Sequence, residues 1–93
     1  MVTGIWKVEI QAGKLDAFMQ AYDLFAGAEG FLGCQFYPSV ENDTTLIAVE
    51  TWENHEMQQT FMWSLKPEQM WELFGMMNWK PEMWWCEVWK LVK

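Results

Sequence analysis

Thr44-Thr45-Leu46-Ile47-Ala48-Val49-Glu50-Thr51-Trp52, followed at once by Glu53-Asn54, is the stretch that decides the fold. Thr45, Ile47, Val49 and Thr51 alternate with Thr44, Leu46, Ala48, Glu50 and Trp52. The alternation and the β-branched content predict a strand over 44–52. Asn54 suits the N-cap of a helix that begins immediately afterwards. A half-buried strand running into a capped helix is half of an α/β unit, and the flanking sequence supplies the rest.

Upstream, Ser39-Val40-Glu41-Asn42-Asp43 has turn chemistry. Residues 31–38 read as a strand with Phe31, Gly33, Gln35 and Tyr37 on one face and Leu32, Cys34, Phe36 and Pro38 on the other. The two strands form a hairpin. Further back, Leu15, Phe18, Met19, Tyr22, Phe25 and Ala26 recur at helical spacing, so a helix is expected from Lys14 to near Gly27 or Gly30. Residues 4–10 alternate as a first strand, with Trp6, Val8 and Ile10 opposed to Ile5, Lys7 and Glu9. Downstream, Met57, Phe61 and Leu65 line a helix. Pro67 and Glu68 open another, carrying Met70, Leu73, Phe74 and Met77. Residues 83–92 read as a last strand that is apolar or aromatic on both sides.

The order β-α-β-β-α-(α)-β, with right-handed crossovers, gives a ferredoxin-like split βαβ domain of class α+β. The whole chain, 1–93, is expected to be one domain with its antiparallel strands in the order 4-1-3-2. Helices cover one face of such a sheet. A sheet apolar on both sides needs a second cover, which the same face of a second copy supplies, so a homodimer is expected. A chain of 93 residues also gains from the extra burial.

Composition narrows the function. The formal charge is −7, and the six basic residues are all lysine. Without arginine and with this charge the chain is a poor ligand for nucleic acid and for anionic membranes. It contains no bidentate arginine clamp for a carboxylate or phosphate. No apolar run has the length of a membrane span, no signal peptide is visible, and two cysteines make no disulfide framework. A cytoplasmic protein is therefore expected. Eight tryptophans are many for so small an interior, which favours an aromatic-lined pocket and a small apolar or aromatic ligand.

Among polar groups, Glu50 shares a face with Leu46, Ala48 and Trp52. A buried carboxylate there needs partners, acquires a raised pKa and is able to deprotonate a phenol; the alternative is pairing with a lysine or the backbone at the rim. His55, the one imidazole, is a candidate base or a solvent-facing first-turn residue. Tyr22 and Tyr37 are candidate hydrogen-bond donors to a substrate oxygen. Trp63, Trp71 and Trp79 are placed to roof a cavity, whereas Trp6 and the last strand's tryptophans read as sheet core or dimer seam. Cys34 and Cys86 read as small hydrophobes on opposite edge strands. No ligand spacing marks a metal site, and no cofactor is expected.

Glu29-Gly30-Phe31-Leu32-Gly33-Cys34, the hairpin, and Leu46-Ile47-Ala48-Val49-Glu50-Thr51-Trp52-Glu53-Asn54 together resemble the antibiotic biosynthesis monooxygenase-like family of dimeric α+β barrels. The resemblance covers nearly the whole chain. It implies a pocket between the sheet and helices of each subunit, and Trp52, Phe61, Trp63, Trp71 and Phe74 are the residues expected to bind substrate there. Glu50, Tyr22, Tyr37 and His55 are then the catalytic candidates. Family members include cofactor-independent monooxygenases that convert polycyclic phenols into quinones, and haem-degrading enzymes. The haem-degrading branch uses a helical histidine. None lies between Thr60 and Phe74 here, and Phe61 falls where that branch carries a tryptophan. The resemblance thus implies cofactor-independent oxidation of an aromatic molecule, or a non-catalytic binding or structural dimer of the same fold.

Overall fold

A computed structural model describes residues 1–78 and 87–92. Four strands and three helices follow in the order β1 (Val2–Glu9), α1 (Leu15–Ala21), a 3-10 turn (Tyr22–Phe25), β2 (Phe31–Pro38), β3 (Thr45–Trp52), α2 (His55–Ser64), α3 (Pro67–Phe74) and β4 (Glu87–Lys90). All strand pairings are antiparallel, and the sheet order is β2-β3-β1-β4. Read from the other edge, this is the expected 4-1-3-2 order. The monomer has the split βαβ topology.

The strand β3 sits at the centre with β1, and its side chains alternate as its sequence demands. Leu46, Ala48, Glu50 and Trp52 are all buried under the helices. Val2, Gly4, Trp6 and Val8 of β1 stand opposite Trp52, Glu50, Ala48 and Leu46, so they share the helix-facing side. Thr3, Ile5 and Lys7 face the other way with Ile47, Val49 and Thr51.

Three local readings change. The first helix is shorter than its apolar stripe. It tightens into 3-10 geometry at Tyr22, which still leaves Tyr22 and Phe25 buried. In β2 the pairing register shifts between Phe31 and Gly33. One extra residue at Leu32 puts Phe31 on the helix side together with Cys34 and Phe36, where strict alternation separates them. Gly33 holds φ +147° at this bulge, a conformation that side chains disfavour. The first strand ends at Glu9, and Ile10 forms only an isolated bridge to Met77. That bridge, with Gln11 N–H to Met76 C=O at 2.9 Å and Asn78 N–H to Glu9 C=O at 2.8 Å, pins the end of α3 beside β1. The described part of the last strand is Glu87–Lys90; the readings of Trp79, Trp84, Trp85 and Cys86 fall outside the described residues.

The second helix begins where the sequence says it does. The Asn54 side chain accepts a hydrogen bond from Met57 N–H at 2.8 Å. Gly30 lies directly beneath it at φ +85°, where an added Cβ would collide with the Met57 side chain. The loop before β2 is thereby packed against the first turn of α2. Among the described residues, no helix is long and apolar enough to cross a membrane.

Candidate active site

The buried face of β3 carries, next to its last residue Trp52, a carboxylate held among aromatic rings. Glu50 is fully buried. The Tyr22 hydroxyl donates to its Oε2 at 3.2 Å, and the Trp52 indole N–H donates to its Oε1 at 3.1 Å. Gln58, buried on α2, adds a third side-chain hydrogen bond. No lysine takes part in these contacts. Burial raises the carboxyl above its ordinary value, with the three donors pulling the other way. The result is a base that accepts a proton more readily than a surface glutamate.

Aromatic rings enclose this group. Tyr22 packs against Phe25 at 4.7 Å and edge-on to Phe36 at 5.1 Å between centroids. Trp52 meets Phe31 at 5.2 Å and Phe61 at 5.7 Å, and Phe61 meets Phe25 at 4.9 Å. Cys34 stands opposite Glu50 across the β2–β3 ladder. Burial and the neighbouring carboxylate push its thiol up from 9.0 to about 12, so it carries almost no thiolate at neutral pH.

Phe61 also faces outward. With Met57, Thr60, Ser64, Asn54, Glu56 and Glu29 it lines a cavity of about 450 Å³ between α2 and the loop before β2. This volume lies in the range of small-molecule sites. Phe61 thus borders the open cavity on one side and the Trp52 ring on the other.

The structure brings Glu50, Tyr22, Trp52 and Phe61 together and leaves the other named residues elsewhere. Tyr37 lies on the opposite sheet face, where its hydroxyl donates to Gln35 at 3.2 Å. His55 is exposed in the first turn of α2. Trp63 and Trp71 are 87% and 72% exposed on the outer sides of their helices. Phe74 lies over β1, its ring near-parallel to Trp6 with centroids 6.5 Å apart. Gln58 escaped the sequence reading. Its signal was a polar residue three and four positions before Phe61 and Met62, in the stripe that turns inward. Among the described residues, no group of three or more His, Cys, Asp or Glu side chains gathers to hold a metal.

The sequence pattern of the antibiotic biosynthesis monooxygenases matches residues 1–70. The chain belongs to the antibiotic biosynthesis monooxygenase family. No curated protein matches it in sequence. Solved structures carry the family fold over its full length. SnoaB from Streptomyces nogalater, a cofactor-independent oxygenase, aligns with TM-score 0.76 at 13% identity, covering 99% of this chain and 93% of that one. A proposed antibiotic biosynthesis monooxygenase from Chloroflexus aurantiacus aligns with TM-score 0.79 at 14% identity, over 100% and 95% of the two chains. A Bordetella bronchiseptica protein of the same description aligns with TM-score 0.71 at 20% identity, over 99% and 97%. In this member of the family, the helix-facing side of β3 carries the buried Glu50 carboxylate.

Proposed function

We propose that this protein is a cofactor-independent monooxygenase acting on an electron-rich aromatic molecule, a phenol or polycycle, and that it works as a homodimer with one site per subunit. The observation that carries the reading is Glu50: a fully buried carboxylate with a raised pKa, held by Tyr22, Trp52 and Gln58 inside an aromatic cage. Family membership and the likeness to SnoaB support the reaction class.

The substrate enters through the cavity beside α2, and rotation of Phe61 opens the way to Trp52 and Glu50. Glu50 takes the phenolic proton. The phenolate passes one electron to dioxygen, leaving an aryloxyl radical and superoxide. Their recombination forms a carbon–oxygen bond, and the proton on Glu50 passes to the peroxide. Loss of a ring proton and hydroxide then yields the quinone and one water, with one oxygen atom in each. The protein supplies orientation, a dry site and the base. Tyr22 and Trp52 hold the carboxylate in place and stack with the ring.

The test is aerobic and anaerobic incubation with 1-naphthol and with anthrone, followed by absorbance. Quinone is expected only in air, and Glu50→Gln is expected to lower kcat by about 10²–10⁴. Absence of quinone from both substrates overturns the proposal. The complete burial of Glu50 favours a second reading, a non-catalytic binding dimer of the same fold, and the same assay separates the two.

A further inference from the structure

We infer that Met57 is the size-determining residue of the cavity beside α2, held in place over the bare Cα of Gly30, so that these two residues decide how many fused rings the site accepts. Seven residues line this cavity. Five of them are polar and exposed, which leaves Met57 and Phe61 as its apolar wall. Both are half-buried, and they stand four positions apart on one face of the helix. A flat apolar ligand has these two side chains to lie against.

The two are backed differently. Behind Phe61 stand the rings of Phe25 and Trp52, at 4.9 and 5.7 Å between centroids. Behind Met57 is Gly30. A Cβ added to Gly30 would lie 2.8 Å from Met57 Cβ and 3.1 Å from its Cγ, and would overlap its Sδ. The thioether therefore occupies the space that a side chain at position 30 would take. Hydrogen bonds keep both backbones from withdrawing. Glu53 N–H donates to Gly30 C=O at 2.7 Å, and Phe31 N–H donates to Ala28 C=O at 3.1 Å. The Asn54 side chain holds Met57 N–H at 2.8 Å.

Removing the thioether would extend the cavity down to the loop backbone. A methyl group on residue 30 would instead drive the thioether off the loop, and the open side available to it is the cavity. Methionine suits such a wall, since its unbranched, polarizable chain adapts to the edge of an aromatic ring. This inference rests on the oxygenase reading for the class of substrate and deepens it by naming what sets the substrate's size.

The experiment measures binding without turnover. 1-Naphthol and 1-anthrol differ by one fused ring. Anaerobic titration against the full chain, followed by the fluorescence anisotropy of each ligand, gives the ratio of their affinities. Met57→Ala is expected to shift that ratio about tenfold toward 1-anthrol, the scale on which a hydrophobic pocket discriminates small changes in apolar volume. Met57→Leu, of similar volume, is expected to leave it near the wild-type value. Gly30→Ala is expected to shift it the opposite way, and to have no effect on it when combined with Met57→Ala. On wild-type protein with 13C-methyl methionine, the Met57 methyl resonance, assigned with Met57→Leu, is expected to move when 1-naphthol binds, whether or not the alanine variants fold. A methyl resonance unmoved by 1-naphthol, a ratio unchanged by Met57→Ala, or a Gly30→Ala effect that persists alongside Met57→Ala overturns the inference. Quinone formed from 1-naphthol in air with an unchanged ratio overturns the inference alone. A ratio shifted as expected without quinone from that substrate or from anthrone overturns the oxygenase reading alone.

Discussion

At the residue scale, Glu50 is where sequence pattern and chemistry meet. Its face was legible, because alternation in β3 places it beside Leu46, Ala48 and Trp52; its complete burial, against a place at the rim, was decided by the helices above. Its partners were not legible, since Tyr22 lies 28 positions away and Gln58 sits on another element. The raised pKa has a definite consequence for stability. The folded state holds a proton that the unfolded chain releases, so this group's contribution is fully present below its ordinary value of 4.5. The contribution is lost as pH rises through the folded value. Glu50→Gln never ionises. Its stability deficit relative to wild type is therefore expected to shrink as the pH is raised from 4.5 through neutrality in urea unfolding. A deficit constant over that range would mean that the carboxyl is not raised.

At the element scale, α2 and the loop beneath it determine the shape of the cavity. The Asn54 cap follows from sequence alone, as residue type and the apolar stripe beyond it agree. The role of Gly30 does not, because it depends on α2 resting directly on the loop. Asn54→Ala is expected to cost about 1 kcal/mol through the lost cap. Gly30→Ala is expected to cost about 2 kcal/mol or more, since it meets both positive φ and the Met57 side chain. Equilibrium unfolding checks the order, and a milder effect at Gly30 would show that the loop is not pinned there. The bulge at Leu32 was invisible for a related reason. Alternation assumes one residue per step, and only pairing with β3 exposes the extra one.

At the scale of the whole molecule, the sheet side away from the helices carries Ile5, Tyr37, Ile47, Val49 and Trp89. Tyr37 and Trp89 are 54% and 59% exposed there. Apolar groups aligned across all four strands support the proposed dimer, in which this face meets its copy. Sedimentation at micromolar concentration is expected to show a dimer, and Ile47→Glu is expected to give monomers by burying a charge at the seam. A wild-type monomer would leave this sheet face open to water and remove the case for a paired barrel.

The sequence by itself determined the strand and helix order, the sheet order, the α2 cap and the face of β3 that carries Glu50. Each of these follows from residue type and a local period of two or 3.6. Tertiary structure alone decided which polar groups meet. It joined Tyr22 and Gln58 to Glu50, moved Phe31 under the helices, and set Tyr37 on the far face and Trp63 and Trp71 in solvent. Those outcomes depend on strand register and on how helices lie across the sheet, and a local period carries no information about either.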